Sequence, residues 1–156
     1  MVFTPACNEP EAANYATLNT RNGHPTLDFD TTTAESAVFS FVVPRNYAGG
    51  GITVYVIWCA ASATTGTIGW LIEFERVDAG TLDIDADSYA STQTVTAATV
   101  SGTSGVTSTT NVAVSNGANM DSIAVGELAR LRIKRDVGND NASGDAQLLA
   151  VELKET

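Results

Sequence analysis

The stretch Gly49–Val77, GGGITVYVIWCAASATTGTIGWLIEFERV, decides the fold that this sequence predicts. It holds two strongly apolar runs, Ile52–Ala61 and Ile68–Val77, which are separated by the small and mostly polar residues Ser62–Thr67. Two apolar runs of strand length joined by a short loop that contains a glycine are typical of a β-hairpin. We therefore expect these two runs to be strands that pair with each other.

The second run alternates between apolar and other residues, which indicates a strand with one buried face. Trp70 and Phe74 share the apolar side, whereas Glu73 and Glu75 lie on the opposite side. Trp58 of the first run has aliphatic neighbours on its own face. We expect Trp58, Trp70 and Phe74 to form the core.

The first run is apolar on both faces. Val54, Val56 and Trp58 fill one side, and Tyr55 and Ile57 make the other side apolar as well. A strand that is apolar on both faces is normally covered on both faces. One cover is the core of the domain, and the second is either a terminal arm or a neighbouring subunit. A symmetric contact supplies such a cover, so we expect a homotrimer.

Short alternating runs recur through the rest of the chain. They lie at Thr26–Asp30, Ser36–Val43, Gln93–Val100, Thr107–Ser115, Glu127–Asp136 and Ala146–Leu153. In the last run, Leu149, Val151 and Leu153 fall on one face and Glu152 on the other. About eight or nine strands spaced roughly 10 residues apart, with no convincing helix, indicate an antiparallel sandwich. About eight strands favour a jelly roll, so the fold class is an all-β jelly-roll β-sandwich.

The first 25 residues differ from the remainder. Pro5, Pro10 and Pro25 interrupt them, and no regular hydrophobic period is present. Prolines without periodicity favour an extended segment over a packed element. We therefore divide the chain into an extended N-terminal arm, residues 1–25, and a jelly-roll domain, residues 26–156.

Composition excludes several classes of partner. The formal net charge is −10 over 156 residues, which opposes binding to nucleic-acid phosphates and to anionic lipid. No window approaches the span of about 20 apolar residues that crosses a bilayer, and the N-terminus lacks the features of a signal peptide. We expect synthesis in a cytoplasm. The two cysteines, Cys7 and Cys59, leave one disulfide possible without forming a framework.

The inventory of reactive side chains predicts that the chain is not an enzyme and holds no cofactor. The only histidine, His24, lies in the arm, and no Ser-His-Asp arrangement or nucleophile elbow is present. Asp83, Asp85 and Asp87 are spaced like the start of an EF-hand, but the glycine and the terminal glutamate of that motif are missing. A second acidic segment holds Asp136, Asp140, Asn141 and Asp145. Solvated turns explain both segments best, with a looser Ca²⁺ site as the alternative.

A basic stripe gathers four of the eight basic residues, Arg130, Arg132, Lys134 and Arg135, on one predicted strand. One interpretation pairs these cations with Glu73 and Glu75 on a neighbouring strand. The other interpretation is a contact with an acidic patch on a partner.

Three segments carry a resemblance to a known group of proteins. They are AVFSFVVP at Ala37–Pro44, the pattern G-x-x-G-W-x-x-x-F-x-R at Gly66–Arg76, and the late pair GELARLRIKRD and GDAQLLAVELKET. In this order they resemble small jelly-roll proteins of tailed bacteriophages, which are capsid decoration (cement) proteins or heads of fibres. The resemblance covers Thr26–Thr156 and implies a trimer.

The resemblance implies a non-enzymatic structural virion protein that binds the major capsid protein on the outer capsid surface. One alternative is the receptor-binding head of a phage fibre. A second alternative is a carbohydrate-binding module, which would require exposed aromatic side chains on one face. The expected partner contacts come from the arm, the second face of the first apolar run and the basic stripe. They are Phe3, Tyr15, Leu18, Arg21, Tyr55, Ile57, Arg130 and Arg132.

Overall fold

The computed structural model describes all 156 residues and contains ten β-strands. The strands are β1 (Val2–Phe3), β2 (Thr17–Arg21), β3 (His24–Phe29), β4 (Ser36–Val42), β5 (Gly51–Ala60), β6 (Thr67–Val77), β7 (Gln93–Thr99), β8 (Ser108–Ser115), β9 (Leu128–Arg135) and β10 (Ala146–Glu155). The one helical element is a short 3-10 turn at Pro5–Cys7, and no helix is of a length and apolarity that would let it cross a membrane.

Two antiparallel sheets form a β-sandwich, which confirms the predicted fold class. The larger sheet has six strands in the order β2-β3-β10-β5-β8, with β1 also paired to β10. The smaller sheet has four strands in the order β4-β9-β6-β7. Each of the eight runs singled out in the sequence is a strand whose bounds differ by at most a few residues from those expected. Period-two alternation was therefore a sufficient signal for the strands themselves.

The predicted hairpin between β5 and β6 is wrong. β5 pairs with β10 and β8 in the larger sheet, whereas β6 pairs with β9 and β7 in the smaller one. The loop that joins β5 to β6 therefore crosses between the sheets, and the two strands meet through their side chains. The rings of Trp58 and Trp70 lie 6.4 Å apart between centroids. Facing sheets bury both large aromatic rings, which a hairpin within one sheet would place side by side on a single surface.

The predicted core is confirmed. Trp58, Trp70 and Phe74 are 1%, 0% and 0% exposed. Phe29 of β3 meets Trp70 edge to face, with 5.1 Å between ring centroids and an interplanar angle of 88°. This is the geometry that aromatic pairs prefer, because the positive ring edge faces the negative ring surface.

The N-terminal residues are packed on the sandwich rather than detached from it. β1 pairs with β10, β2 pairs with β3 over its whole length, and β3 already begins at His24. The ring of Phe3 is 8% exposed and stacks on Phe39 at 5.3 Å. The expectation of an unpacked arm failed because β2 is an edge strand of the larger sheet and is exposed on both faces. Such a strand carries no hydrophobic alternation for the sequence to reveal.

One buried ion pair ties the two sheets together. Arg135 and Asp140 have side chains that are 0% and 2% exposed, and Arg135 Nε donates to Asp140 Oδ2 at 2.6 Å. The same guanidinium donates to the carbonyl oxygens of Phe29, Ala142 and Gly144 at 3.2, 3.0 and 2.8 Å. It thereby joins β9 of the smaller sheet to the end of β3 in the larger one. For Asp140, the expectation of a solvated turn is wrong.

We expect Trp70→Ala to lower the free energy of unfolding by about 3–5 kcal/mol, because it empties a large volume at the centre of the core. Urea unfolding monitored by circular dichroism measures this change. Leu18→Ala is the matched control, since Leu18 is 60% exposed, and it should change stability by no more than about 0.5 kcal/mol. Equal effects of the two variants would contradict the assigned core.

We expect Asp140→Asn to lower the free energy of unfolding by about 3–5 kcal/mol, since it leaves the buried Arg135 charge without its counter-charge. The substitution keeps the size of the side chain, so the loss of stability comes from the missing charge and not from altered packing. Asp85→Asn, on an exposed loop and in no ion pair, is the control. The same urea titration applies, and a cost for Asp140→Asn as small as that of the control would refute the role of the pair.

Candidate functional site

An uncovered apolar strip runs along the outer face of the larger sheet. Val54, Val56 and Trp58 of β5 are buried in the core, whereas Tyr55 and Ile57 point the other way and are only half-buried. β5 lies between β10 and β8, so this strip occupies the middle of the sheet. The second apolar face that the sequence indicated is therefore present and open in the single chain.

Hydrogen-bonding side chains flank Tyr55 on both sides. Its cross-strand partners are Asn111 of β8 and Glu152 of β10, and both are exposed. Side chains directly opposite each other on neighbouring strands lie about 4.5–5.5 Å apart at Cβ, so these groups border the aromatic ring. Ile57 lies between Thr109 and Ala150 in the next row. We call Tyr55, Ile57, Asn111 and Glu152 the Tyr55 platform.

The strip leads into a groove of about 320 Å³. Its walls come from β2, β3, β5, β10 and the segment before β8, and include Arg21, His24, Thr26, Cys59, Thr107 and Leu149. Leu149 reaches the groove because the pairing of β10 with β5 shifts register between Leu148 and Ala150, which is a β-bulge. The sequence placed Leu149 on the face of Val151, and the bulge reverses that assignment.

The polar wall of the groove is held in a fixed position. Arg21 Nη1 donates to the carbonyl oxygen of Ala61 and to Gln147 Oε1, both at 2.9 Å. Gln147 Nε2 in turn donates to Asp28 Oδ1 at 2.9 Å. Burial raises the pKa of the Cys59 thiol, so this thiol stays neutral at pH 7 and is not an activated nucleophile. The groove therefore presents ordered hydrogen-bonding groups.

The outer face of the smaller sheet carries an internal charge network. Arg130 binds Glu75 at 2.6 Å, and Glu73 accepts from both Arg132 and Lys134, at 2.5 and 2.8 Å. This confirms the interpretation in which the basic stripe pairs with the two glutamates of the neighbouring strand. The Arg132 guanidinium also lies over the ring of Tyr89, 3.8 Å from its centroid. The fourth basic residue, Arg135, faces the core instead.

This network changes the ionisation of its members. Burial raises the pKa of Glu73, but hydrogen bonds from Lys134, Thr92 and Arg132 outweigh that effect, so the pKa is lowered from 4.5. For Tyr89, burial dominates and raises the pKa to about 12. Glu73 is therefore held charged and Tyr89 neutral at pH 7.

The structure brings together three of the residues proposed from the sequence and separates the others. Tyr55, Ile57 and Arg21 share the outer face of the larger sheet. Phe3 is in the core, Tyr15 and Leu18 are exposed near the 3-10 turn, and Arg130 and Arg132 belong to the charge network. Sequence reasoning missed Asn111, Glu152 and Leu149. For the first two, strand alternation gave the signal, but strand order was needed to place them beside Tyr55.

Neither acidic segment assembles a metal site. The chain has no group of three or more histidine, cysteine, aspartate or glutamate side chains arranged to hold an ion. Asp83 and Asp85 are exposed on their loop, and Asp140 is engaged by Arg135. Cys7 and Cys59 are not bonded to each other.

The comparisons with known proteins identify structures that share the fold. No family model and no curated protein sequence matches the chain. A family 35 carbohydrate-binding module from an environmental isolate aligns with 99% of this chain and 92% of its own, with a TM-score of 0.57 at 10% identity. A family 35 module from Cellvibrio japonicus covers 99% of this chain and 96% of its own, with a TM-score of 0.50 at 11% identity. A family 28 module, described as specific for non-crystalline cellulose, aligns with a TM-score of 0.45 at 15% identity over 89% and 79%.

These similarities overturn the function that the phage resemblance implied. Both family 35 structures, which align with 99% of this chain, are carbohydrate-binding modules, so the prediction of a capsid decoration protein is contradicted. The second alternative, a carbohydrate-binding module, is the one they favour. The predicted homotrimer and virion location are tested by none of these similarities and stay predictions.

We expect Glu73→Gln to destabilise the protein in a pH-dependent way. Because the folded pKa of Glu73 lies below its ordinary value of 4.5, its contribution is fully present above pH 4.5 and is lost as the pH falls through the folded pKa. The stability difference from the parent chain should therefore be largest at pH 7 and should shrink below pH 4.5. Urea titrations at several pH values measure it. A difference that stays constant down to pH 3 would contradict the charge network.

Proposed function

We propose that this chain is a non-catalytic domain that binds a neutral glycan on the outer face of its larger sheet. The observation that carries the proposal is the position of Tyr55, which lies on an open sheet face between Asn111 and Glu152. The carbohydrate-binding modules that share the fold support it.

The Tyr55 platform matches the two surfaces of a sugar ring. A pyranose has a face of C–H groups and a rim of hydroxyls, so its ligand site needs apolar area and hydrogen-bonding groups side by side. The ring of Tyr55 and the side chain of Ile57 supply the apolar area. Asn111 offers both a donor and an acceptor, and Glu152 accepts from hydroxyls. A mostly apolar site with a few placed polar groups is the general pattern of small-ligand recognition.

Charge favours a neutral glycan over an acidic one. The chain carries a formal net charge of −10, and Glu152 places a carboxylate directly beside Tyr55. A polymer of like charge would be repelled during approach and would also lose solvation against Glu152. Arg21 does not offset this repulsion, because its guanidinium already donates hydrogen bonds to the carbonyl oxygen of Ala61 and to Gln147 Oε1.

The length of the site favours a chain of sugars over a single unit. The strip begins at Tyr55 and the groove reaches Cys59, four residues further along β5. At about 3.3 Å per residue this span is about 13 Å, which is longer than one pyranose ring. The face has no wall at the Tyr55 end that would require a chain terminus. We therefore propose that the site binds an internal stretch of an oligosaccharide.

We expect Tyr55→Ala to weaken glycan binding at least about tenfold, equivalent to about 1.4 kcal/mol, because it removes the aromatic surface of the platform. Tyr55→Phe keeps the ring and should keep most of the affinity. Affinity electrophoresis in gels containing hydroxyethyl cellulose, xylan, galactomannan or galactan measures binding, with polygalacturonate as the anionic comparison. Leu18→Ala is the control, since it removes an exposed apolar side chain away from the platform.

Two outcomes would contradict the proposal. The parent chain could show no retardation in any of the four neutral polysaccharides. Alternatively, Tyr55→Ala could be retarded as strongly as the parent, which would place the binding surface elsewhere. Tyr55 is half-exposed, so the variant should fold, and its thermal melt checks this directly.

A further inference from the structure

A second exposed apolar surface lies on the smaller sheet, on the opposite side of the sandwich from the Tyr55 platform. Val42 of β4, Leu128 of β9 and Val77 of β6 are direct cross-strand neighbours on its outer face. Val42 and Leu128 are 56% and 42% exposed. We call these three residues the apolar row. Contiguous exposed apolar side chains, unlike scattered ones, mark interaction surfaces.

Ile84 extends the apolar row into a groove. It lies on the loop between β6 and β7, and its side chain is 72% exposed. Ile84 lines a hollow of about 270 Å³ together with Val77 and Leu128. One wall of this groove is therefore the sheet and the other is the loop. Nothing else in the chain covers it.

The rim of the groove carries negative charge, and the cation that lines the groove, Arg130, is already paired. Asp83 and Asp85 flank Ile84 on the loop, and Asp87 lines the hollow itself. None of the three takes part in an ion pair, whereas Arg130 at the same hollow is bound to Glu75. Complementary charge on a partner would therefore be basic. A second copy of this chain is a poor occupant, because each copy carries a net charge of −10.

We propose that this groove binds an extended, basic, aliphatic-rich segment of a partner protein. The aliphatic side chains of the segment pack on Val77, Leu128 and Ile84, and its lysine or arginine side chains face the aspartates of the loop. The apolar contacts give affinity, and the complementary charges give specificity and orientation.

The test uses fluorescein-labelled octapeptides and fluorescence anisotropy with the full chain. A peptide of alternating valine and lysine is the probe, and matched peptides carry glutamate in place of lysine or serine in place of valine. We expect binding of the Val/Lys peptide alone. Its affinity should fall as salt is raised from about 0.1 M to 1 M, where the screening length drops from about 10 Å to about 3 Å.

Variants of the chain locate the site. Ile84→Ser and the double variant Asp83→Asn, Asp85→Asn should each weaken binding of the Val/Lys peptide at least threefold, and all of these residues are exposed, so folding is not at risk. Leu18→Ser is the matched control on the other sheet and should bind normally. Equal binding of the Val/Glu peptide, unchanged binding by Ile84→Ser, or self-association that Ile84→Ser abolishes would each overturn the proposal, the last by assigning the groove to a second copy.

Discussion

The arrangement of the two sheets depends on the guanidinium of Arg135. This charge is removed from water at the junction of β9, the end of β3 and the loop before β10, and its donors are used by Asp140 and by carbonyl oxygens of β3 and of that loop. A buried ion pair of this kind adds little net stability over an apolar substitute, but breaking it is costly. The ion pair therefore fixes geometry, because other loop conformations or sheet positions would leave the Arg135 charge buried without hydrogen-bond partners. The position of the outer face that holds Tyr55 follows from this constraint on the two sheets.

Local patterns in the sequence predicted the strands and the core, since alternation is a property of neighbouring residues. Strand order is not, and the hairpin assigned to β5 and β6 failed for that reason. Asn111 and Glu152 flank Tyr55 only because β8 and β10 border β5. Arg135 was grouped with the basic stripe, although alternation puts Arg130, Arg132 and Lys134 on one face of β9 and Arg135 on the other. The sequence alone therefore separates Arg135 from the other three basic residues.

The second apolar face of β5 is present as predicted, but the sequence could not tell what covers it. Tyr55 and Ile57 suit a subunit interface and a sugar ring equally well when the flanking residues are unknown. The phage resemblance then supplied a function that the similar structures contradict. Its motifs describe a jelly-roll architecture, and one architecture supports many unrelated functions. The residues at the site, and not the architecture, separate these functions.

The β-bulge at Leu149 controls more of the molecule than its own groove. Along a regular strand, residues separated by an odd number of positions lie on opposite faces, yet Gln147 and Glu152 both point outward on β10. The extra residue in the bulge between them shifts every later residue of β10 to the face opposite to the one that regular alternation would give. If the bulge straightened with that residue still in place, regular alternation would turn Glu152 towards the core and Val151 and Leu153 towards solvent, as a one-residue slip in register does. The bulge itself is thus as strictly required as the identity of any side chain that follows it on the strand.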